Sequence, residues 1–267
     1  MKIFKKLLVL MISLALYSCS SINIRNTNEY NSILKEDITL IYSNEDNINY
    51  IDSFLEIKKN MQEYFINYIE TDVYTDPISL YILPMKNKVI NFKDHGSSAT
   101  CTPHKHRIYL LDFYNLDTEV IKKYGNPPKD ILYSAFTHEM CHCSISKKIK
   151  VNNEMNEVFS IFCSYINFQN NKFEFYNNED LSYDINKYFS TEIMKEIKLE
   201  GFKNINLKNI KNTRIVSVLL AYLHSKQSYK MIKEILYNDN INNLDLLLRW
   251  SEKDYDNFIM WLNQKTT

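Results

Sequence analysis

Thr137-His138-Glu139-Met140-Cys141-His142 is the stretch from which the rest of this chain can be read. Its spacing is His-Glu-x-x-His. On a helix, residues four apart lie on one face, so His138 and His142 can aim two imidazole nitrogens at one point. Two imidazoles placed that way are a ligand pair for zinc. Glu139 beside them sits where the general base for a zinc-bound water belongs. The surrounding segment reads as a helix over 130–145, because Ile131, Ala135, His138, His142 and Ile145 form a stripe at helical spacing. Asn126-Pro127-Pro128 ahead of it suits a helix start. From 131 to 146 the one charged residue is Glu139, so a buried helix with a single internal carboxylate is expected. The plainer alternative is two histidines that merely line a helix.

A catalytic zinc takes three protein ligands and keeps a fourth position open. Two carboxylates downstream qualify as the third ligand, Glu154 and Glu157, three apart on a second predicted helix. Glu157 opens the run Glu157-Val158-Phe159-Ser160-Ile161-Phe162-Cys163-Ser164-Tyr165. That run is mostly apolar, and a carboxylate at the mouth of a buried segment is costly unless it is paired or bound to metal. Glu154 lies in Asn152-Asn153-Glu154, where a solvated first-turn carboxylate is favoured by the helix dipole. Burial favours Glu157, with Glu154 as the alternative.

These residues resemble the gluzincin metallopeptidases, in which two His and a Glu bind the metal. Asn156-Glu157-Val158-Phe159-Ser160 is similar to the Asn-Glu-x-x-Ser motif of thermolysin-like enzymes and to the Asn-Glu-Gly-Phe-Ala pattern of the peptidase MA-like group. His106-Arg107-Ile108-Tyr109-Leu110-Leu111 resembles the strand ahead of the zinc helices in that group. Residues 215–223 and 225–236 resemble its paired C-terminal helices, and 244–262, with Trp250 and Trp261, its closing helices. The likeness is specific at the zinc motif and at Glu157. It implies one Zn2+ held by His138, His142 and Glu157, with Glu139 as the base and a peptide or protein as substrate. There are departures. The segment between His142 and Glu157 is short, the Gly of the second pattern is Val158, and the carboxylate that orients a zinc His in thermolysin-like enzymes is replaced by Ile161. Related aminopeptidases place an oxyanion-stabilising Tyr near Asn212-Thr213-Arg214. The candidates here are Arg214, Tyr222 and His224, against the plainer readings of a surface Arg, a core Tyr and a partly exposed His.

Residues 1–18 read as a targeting segment. Lys2, Lys5 and Lys6 precede an apolar stretch over 7–17 that is too short to span a bilayer. Leu16-Tyr17-Ser18-Cys19 resembles the lipobox of bacterial lipoproteins. The resemblance implies cleavage before Cys19, acyl chains such as palmitate on it, and a lipid-anchored protein outside the cytoplasm. Secretion with Cys19 retained is the alternative. Ser20, rather than Asp, would favour the outer membrane in a diderm cell. The 32 basic and 32 acidic residues balance, and removing 1–18 takes three Lys and no acid, so the remainder is mildly acidic. No basic patch points to nucleic acid, and a monomer is expected. An oxidising compartment permits disulfides among Cys101, Cys141, Cys143 and Cys163. A bridge from Cys101 to either zinc helix, or from Cys143 to Cys163, would brace the site; four buried thiols are the alternative. Connectivity is open at this level.

The remaining chain divides by periodicity. Residues 19–37 read as a polar tether. Strands are expected at 38–42, 78–82, 89–92 and 106–111, with a helix over 51–69 between the first two. Helices follow. Strands first and helices after them imply an α+β class, zincin-like, with a small N-terminal mixed sheet packed on the zinc helix and a mainly helical C-terminal lobe. The folded domain would cover 38–267, with a sheet lobe over 38–150 and a helical lobe over 151–267. The loop 95–106 gathers His95, His104 and His106 with Cys101, as a cleft lining or a second metal site. The 106–111 strand is expected at the sheet edge, taking an extended substrate by strand addition. Two rival functions remain in view: a catalytically silent surface lipoprotein of the same fold acting as a binding module, and a zinc amidase acting on cell-wall peptides.

Overall fold

Alternation builds the N-terminal half. In the computed structural model, which describes residues 30–70, 77–83, 99–102, 105–112, 131–148, 151–169, 173–175, 179–203, 205–238 and 244–265, five strands form one sheet. They are β1 (Asn31–Lys35), β2 (Ile38–Tyr42), β3 (Ile78–Leu83), β4 (Ala99–Thr102) and β5 (Arg107–Leu111). The order is β1-β2-β3-β5-β4. β2, β3 and β5 run parallel, while β1 and β4 lie antiparallel at the two ends. The register aligns Ile38 with Ile78, Leu40 with Leu80, and Leu80 in turn with Ile108. These buried side chains form one face of the sheet. The opposite face is half-buried and carries the stacked pair Tyr81–Tyr109.

Two helices cover the buried face. α1 (Ile51–Tyr64) connects β2 to β3 and packs on β2. Its buried positions Phe54, Ile57, Met61 and Tyr64 recur at helical spacing. It runs into a π turn over Phe65–Ile69 and ends at Glu70 in the left-handed region, φ 53°. α2 (Ile131–Lys148) packs against α1, β4 and β5. Phe54 and Phe136 meet with ring centroids 4.6 Å apart. Burial of each such side chain is worth roughly 1.5–3 kcal/mol.

The C-terminal half is helical. α3 (Asn153–Ser164) is followed by a short hairpin, β6 (Ile166–Asn167) and β7 (Glu174–Phe175), then α4 (Glu179–Tyr188), α5 (Thr191–Glu200), α6 (Ile210–Ser225), α7 (Tyr229–Leu236), α8 (Leu244–Leu248) and α9 (Glu252–Lys265). Side-chain caps start three of these helices: Asn152 accepts from Met155 N, Ser190 from Ile193 N and Asn209 from Lys211 N. α6 is the central post. Every residue from Ile215 to His224 is buried, and the helix touches α3, α4 and α7. Ser217 Oγ on α6 donates to the Val158 carbonyl of α3 at 2.9 Å, one residue past Glu157.

The chain is thus α+β, a small mixed sheet followed by a mainly helical remainder. Three differences from the sequence reading concern strands. Residues 31–35, expected in the tether, form β1, so the sheet begins before Ile38. Ala99–Thr102, expected in a loop, forms β4. The 106–111 strand is interior, and β4 takes the edge instead. The expected strand at 89–92 and the segment 1–29, with Cys19, lie outside the described residues. No helix among the described residues is long and apolar enough to cross a membrane.

Candidate metal centre

The site lies where α2 packs against α3. On α2, one face brings His138 and His142 together, with Nε2 atoms 3.0 Å apart. From α3, Glu157 reaches both: Oε2 lies 3.2 Å from His142 Nε2 and Oε1 4.0 Å from His138 Nε2. These three residues are the metal-competent group found among the described residues, their ligand atoms all within 4.8 Å of one another. A tetrahedral zinc with ligands at 2.0–2.1 Å sets its ligand atoms about 3.3 Å apart. The observed separations bracket that value, so the donor set fits zinc in kind and in spacing. Glu154 stays in the first turn of α3 and does not join the group. Glu157 keeps 37% of its side chain exposed, against 22% and 18% for the histidines, so the group opens to solvent on the Glu157 side.

Burial sets the electrostatics. Glu139 is only 7% exposed. Loss of hydration pushes its carboxyl up to about 7, although the neighbouring His142 charge and a hydrogen bond from the Cys101 thiol pull it down. A carboxylate held near neutrality can both take and return a proton. His138 is pushed down to about 3 by loss of hydration and by His142, which keeps its ring neutral as a ligand must be. A backbone contact with Ser160 on α3 acts the other way, favouring the protonated ring, and is the kind of outer contact that fixes a ligating imidazole. His142 and Glu157 shift as a pair. Burial works against both charges and is the largest single effect on each, but the hydrogen bond between them together with the surrounding charges outweighs it, raising the imidazole and lowering the carboxyl. A bound divalent cation would take over that role from the imidazolium proton.

Of the three oxyanion candidates, one approaches this site. Arg214 on α6 is close enough that its charge lowers the carboxyl of Glu157 and the imidazole of His138. It is not a surface Arg. Its side chain is 16% exposed and is gripped at 2.8 Å by Asp184 of α4, which is 2% exposed. Tyr165, just past α3, donates its hydroxyl to the same Asp184 oxygen at 2.6 Å. Tyr222 lies instead in a core cluster with Trp250, Phe258 and Trp261. Both ring nitrogens of His224 are occupied in the interior, by Tyr64 Oη at 3.0 Å and the Phe173 carbonyl at 2.8 Å. Those two residues are therefore built into the core rather than the site. Sequence reasoning missed Asp184 and Tyr165. The available signal was Asp184 itself, a charge on the stripe that α4 buries with Leu181 and Ile185.

The loop cluster read as a second metal site does not assemble in the described residues. Cys101 points from β4 toward α2, and His106 sits at the β4–β5 turn with φ 54°; His95 and His104 lie outside the described residues. Comparison with known protein families and with curated proteins finds no match to this chain.

Proposed function

We propose that the protein is a zinc metallopeptidase of the gluzincin type, with His138, His142 and Glu157 as ligands and Glu139 as general base. The observation that carries this reading is the convergence of two imidazoles and a carboxylate from separate helices beside a buried carboxylate held near neutrality. Neither a structural helix pair nor a binding module needs that fourth group. The α+β layout, with the histidine helix packed under the sheet edge, is consistent with a zincin-like fold.

When bound, zinc supplies a Lewis acid that polarises the scissile carbonyl and acidifies the attacking water. The protein supplies the rest. Glu139 accepts the proton of the attacking water and returns it to the leaving amine. Arg214, held by Asp184, whose carboxylate also accepts from Tyr165, provides a fixed positive charge near Glu157, suited to the negative charge that develops on the carbonyl oxygen or to a substrate carbonyl. The outer edge of β4 pairs with no strand among the described residues. Because Cys101 of β4 reaches Glu139, an extended peptide added along that edge would lie beside the base. The substrate edge is thus β4, and the 106–111 strand supports it from behind.

The lipobox-like segment ending at Cys19 supports a lipid anchor and a place in the bacterial envelope outside the cytoplasm. The partners implied are a peptide or protein substrate and the membrane, with the protein as a monomer. The decisive experiment pairs metal content with turnover. Wild-type protein should hold one zinc per chain and cleave members of a broad peptide library. Glu139→Gln should keep the zinc and lose cleavage by at least about a hundredfold. Protein that stays metal-free after zinc reconstitution would overturn the reading. Equal behaviour of wild type and Glu139→Gln would favour the binding module.

A further inference from the structure

Four cysteines surround the metal centre without joining it. Cys101, Cys141, Cys143 and Cys163 are all buried free thiols in the structure, and none belongs to the group of metal-competent side chains. Their placement is not symmetrical. Cys141 and Cys143 are two apart on α2, which turns them about 200° from each other around the helix axis. One side of α2 faces β4 and β5; another faces α3. Cys143 takes the sheet side, where its thiol meets that of Cys101 in β4. Cys141 takes the helix side, where it meets Cys163 of α3. The register independently places Cys101 on the side of the sheet that faces α2: it pairs opposite Ile108, whose side chain belongs to the same buried sheet face that α2 covers.

We propose that these residues are two oxidisable pairs, Cys101–Cys143 and Cys141–Cys163, which form disulfides that join β4 to α2 and α2 to α3. The bonds would clamp the three elements that carry the substrate edge, the His-Glu-x-x-His motif and Glu157. The opposite pairings, Cys101–Cys141 and Cys143–Cys163, would each have to cross the body of α2. Formation consumes two thiols per bond. A thiolate attacks an oxidant disulfide, small-molecule or protein-borne, to give a mixed disulfide and one released thiol; the partner cysteine then displaces the second thiol. Each pair gives up two electrons and two protons, and the oxidant leaves as two thiols. Because all four side chains are buried in the folded chain, the exchange belongs to folding rather than to the finished protein. Oxidation also removes the Cys101 S–H that donates to Glu139. The inference concerns thiol geometry and stands whether or not the centre holds zinc.

The test is a cysteine map of the full chain refolded with glutathione disulfide, denatured, alkylated and fragmented. Wild type should lose four hydrogens across these cysteines and leave none of the four alkylated. Cys101→Ser should free one of the remaining three, identified as Cys143, and Cys163→Ser should free Cys141. Fragmentation of the wild-type linked peptides between Cys141 and Cys143 reads the same connectivity if a variant does not fold. Alkylation of all four in refolded wild type would overturn the proposal. So would linkage of Cys101 to Cys141, or release of Cys141 in Cys101→Ser.

Discussion

Asp184 is a charge in the core, and its two partners explain why it is there. It accepts from Tyr165 and Arg214 through one oxygen, and the guanidinium it holds faces Glu157 and His138. Removing one member of a buried ion pair costs more than the pair contributes, because the other charge stays buried without compensation. Arg214→Ala should therefore destabilise the fold by roughly 3–5 kcal/mol, read as a fall in the urea midpoint. A surface Arg would cost under about 1 kcal/mol, and such a small change would rule out the buried pairing. His224 makes a different prediction. Loss of hydration lowers its imidazole below the ordinary value, despite the hydrogen bond to Phe173. In the unfolded chain it takes a proton at about pH 6.5, where the folded chain still refuses one. The unfolded state then binds more protons, so its contribution is whole above about pH 6.5 and is lost as pH falls toward the lowered folded value. Metal-free wild type should lose more stability between about pH 7 and pH 5 than His224→Gln does. Parallel urea curves for the two across that range would refute it.

At the scale of elements, what could be read from the chain depended on how strongly each segment is buried on one side. β2, β3 and α1 alternate or repeat cleanly because one face of each packs into the core, and all three stand where the periodicity placed them. β1 and β4 are end strands. Asn31-Ser32-Ile33-Leu34-Lys35 leaves four of its five side chains exposed, and Ala99-Thr100-Cys101-Thr102 is short and small, so neither carries an alternation to detect. Pairing with β2 and β5, which sequence does not reveal, makes them strands. The site followed the same logic. His138, Glu139 and His142 were legible because helical spacing puts the two imidazoles on one face, where the structure brings them together. Glu157 stood out by the apolar run it opens, but its own side chain is 37% exposed and, like Glu154, only half-buried; what separates the two is that Glu157 turns toward the histidines of α2. Arg214 was a candidate by position alone; Asp184, thirty residues away in sequence, is what holds it in place. Tyr222 and His224 share α6 with Arg214 but point into the core, since that helix is buried on nearly every side and offers only part of its surface to the site.

For the whole molecule, the cluster of His138, His142 and Glu157 joins the two halves of the chain. His138 and His142 belong to the helix that underlies the sheet, whereas Glu157 belongs to the helix that leans on α6. A cation shared between them would fasten the sheet half to the helical half, so binding would be felt by the whole fold rather than by one lobe. A ligand that binds the folded state alone stabilises it by about 2.7 kcal/mol when present at a hundred times its dissociation constant. For a chain of this size that corresponds to a rise of about 5–10 °C in Tm. Zinc should raise the Tm of chelator-treated protein by that amount, in one transition that carries both halves. Glu157→Ala should abolish the shift. Glu154→Ala should retain it, because Glu154 stays in the first turn of α3 outside the ligand group. Calorimetry of the two variants with and without zinc makes the comparison. If zinc leaves the wild-type Tm where a chelator puts it, the proposed link between the halves is absent. If the shift survives in Glu157→Ala but not in Glu154→Ala, the third ligand has been misassigned by one turn of α3.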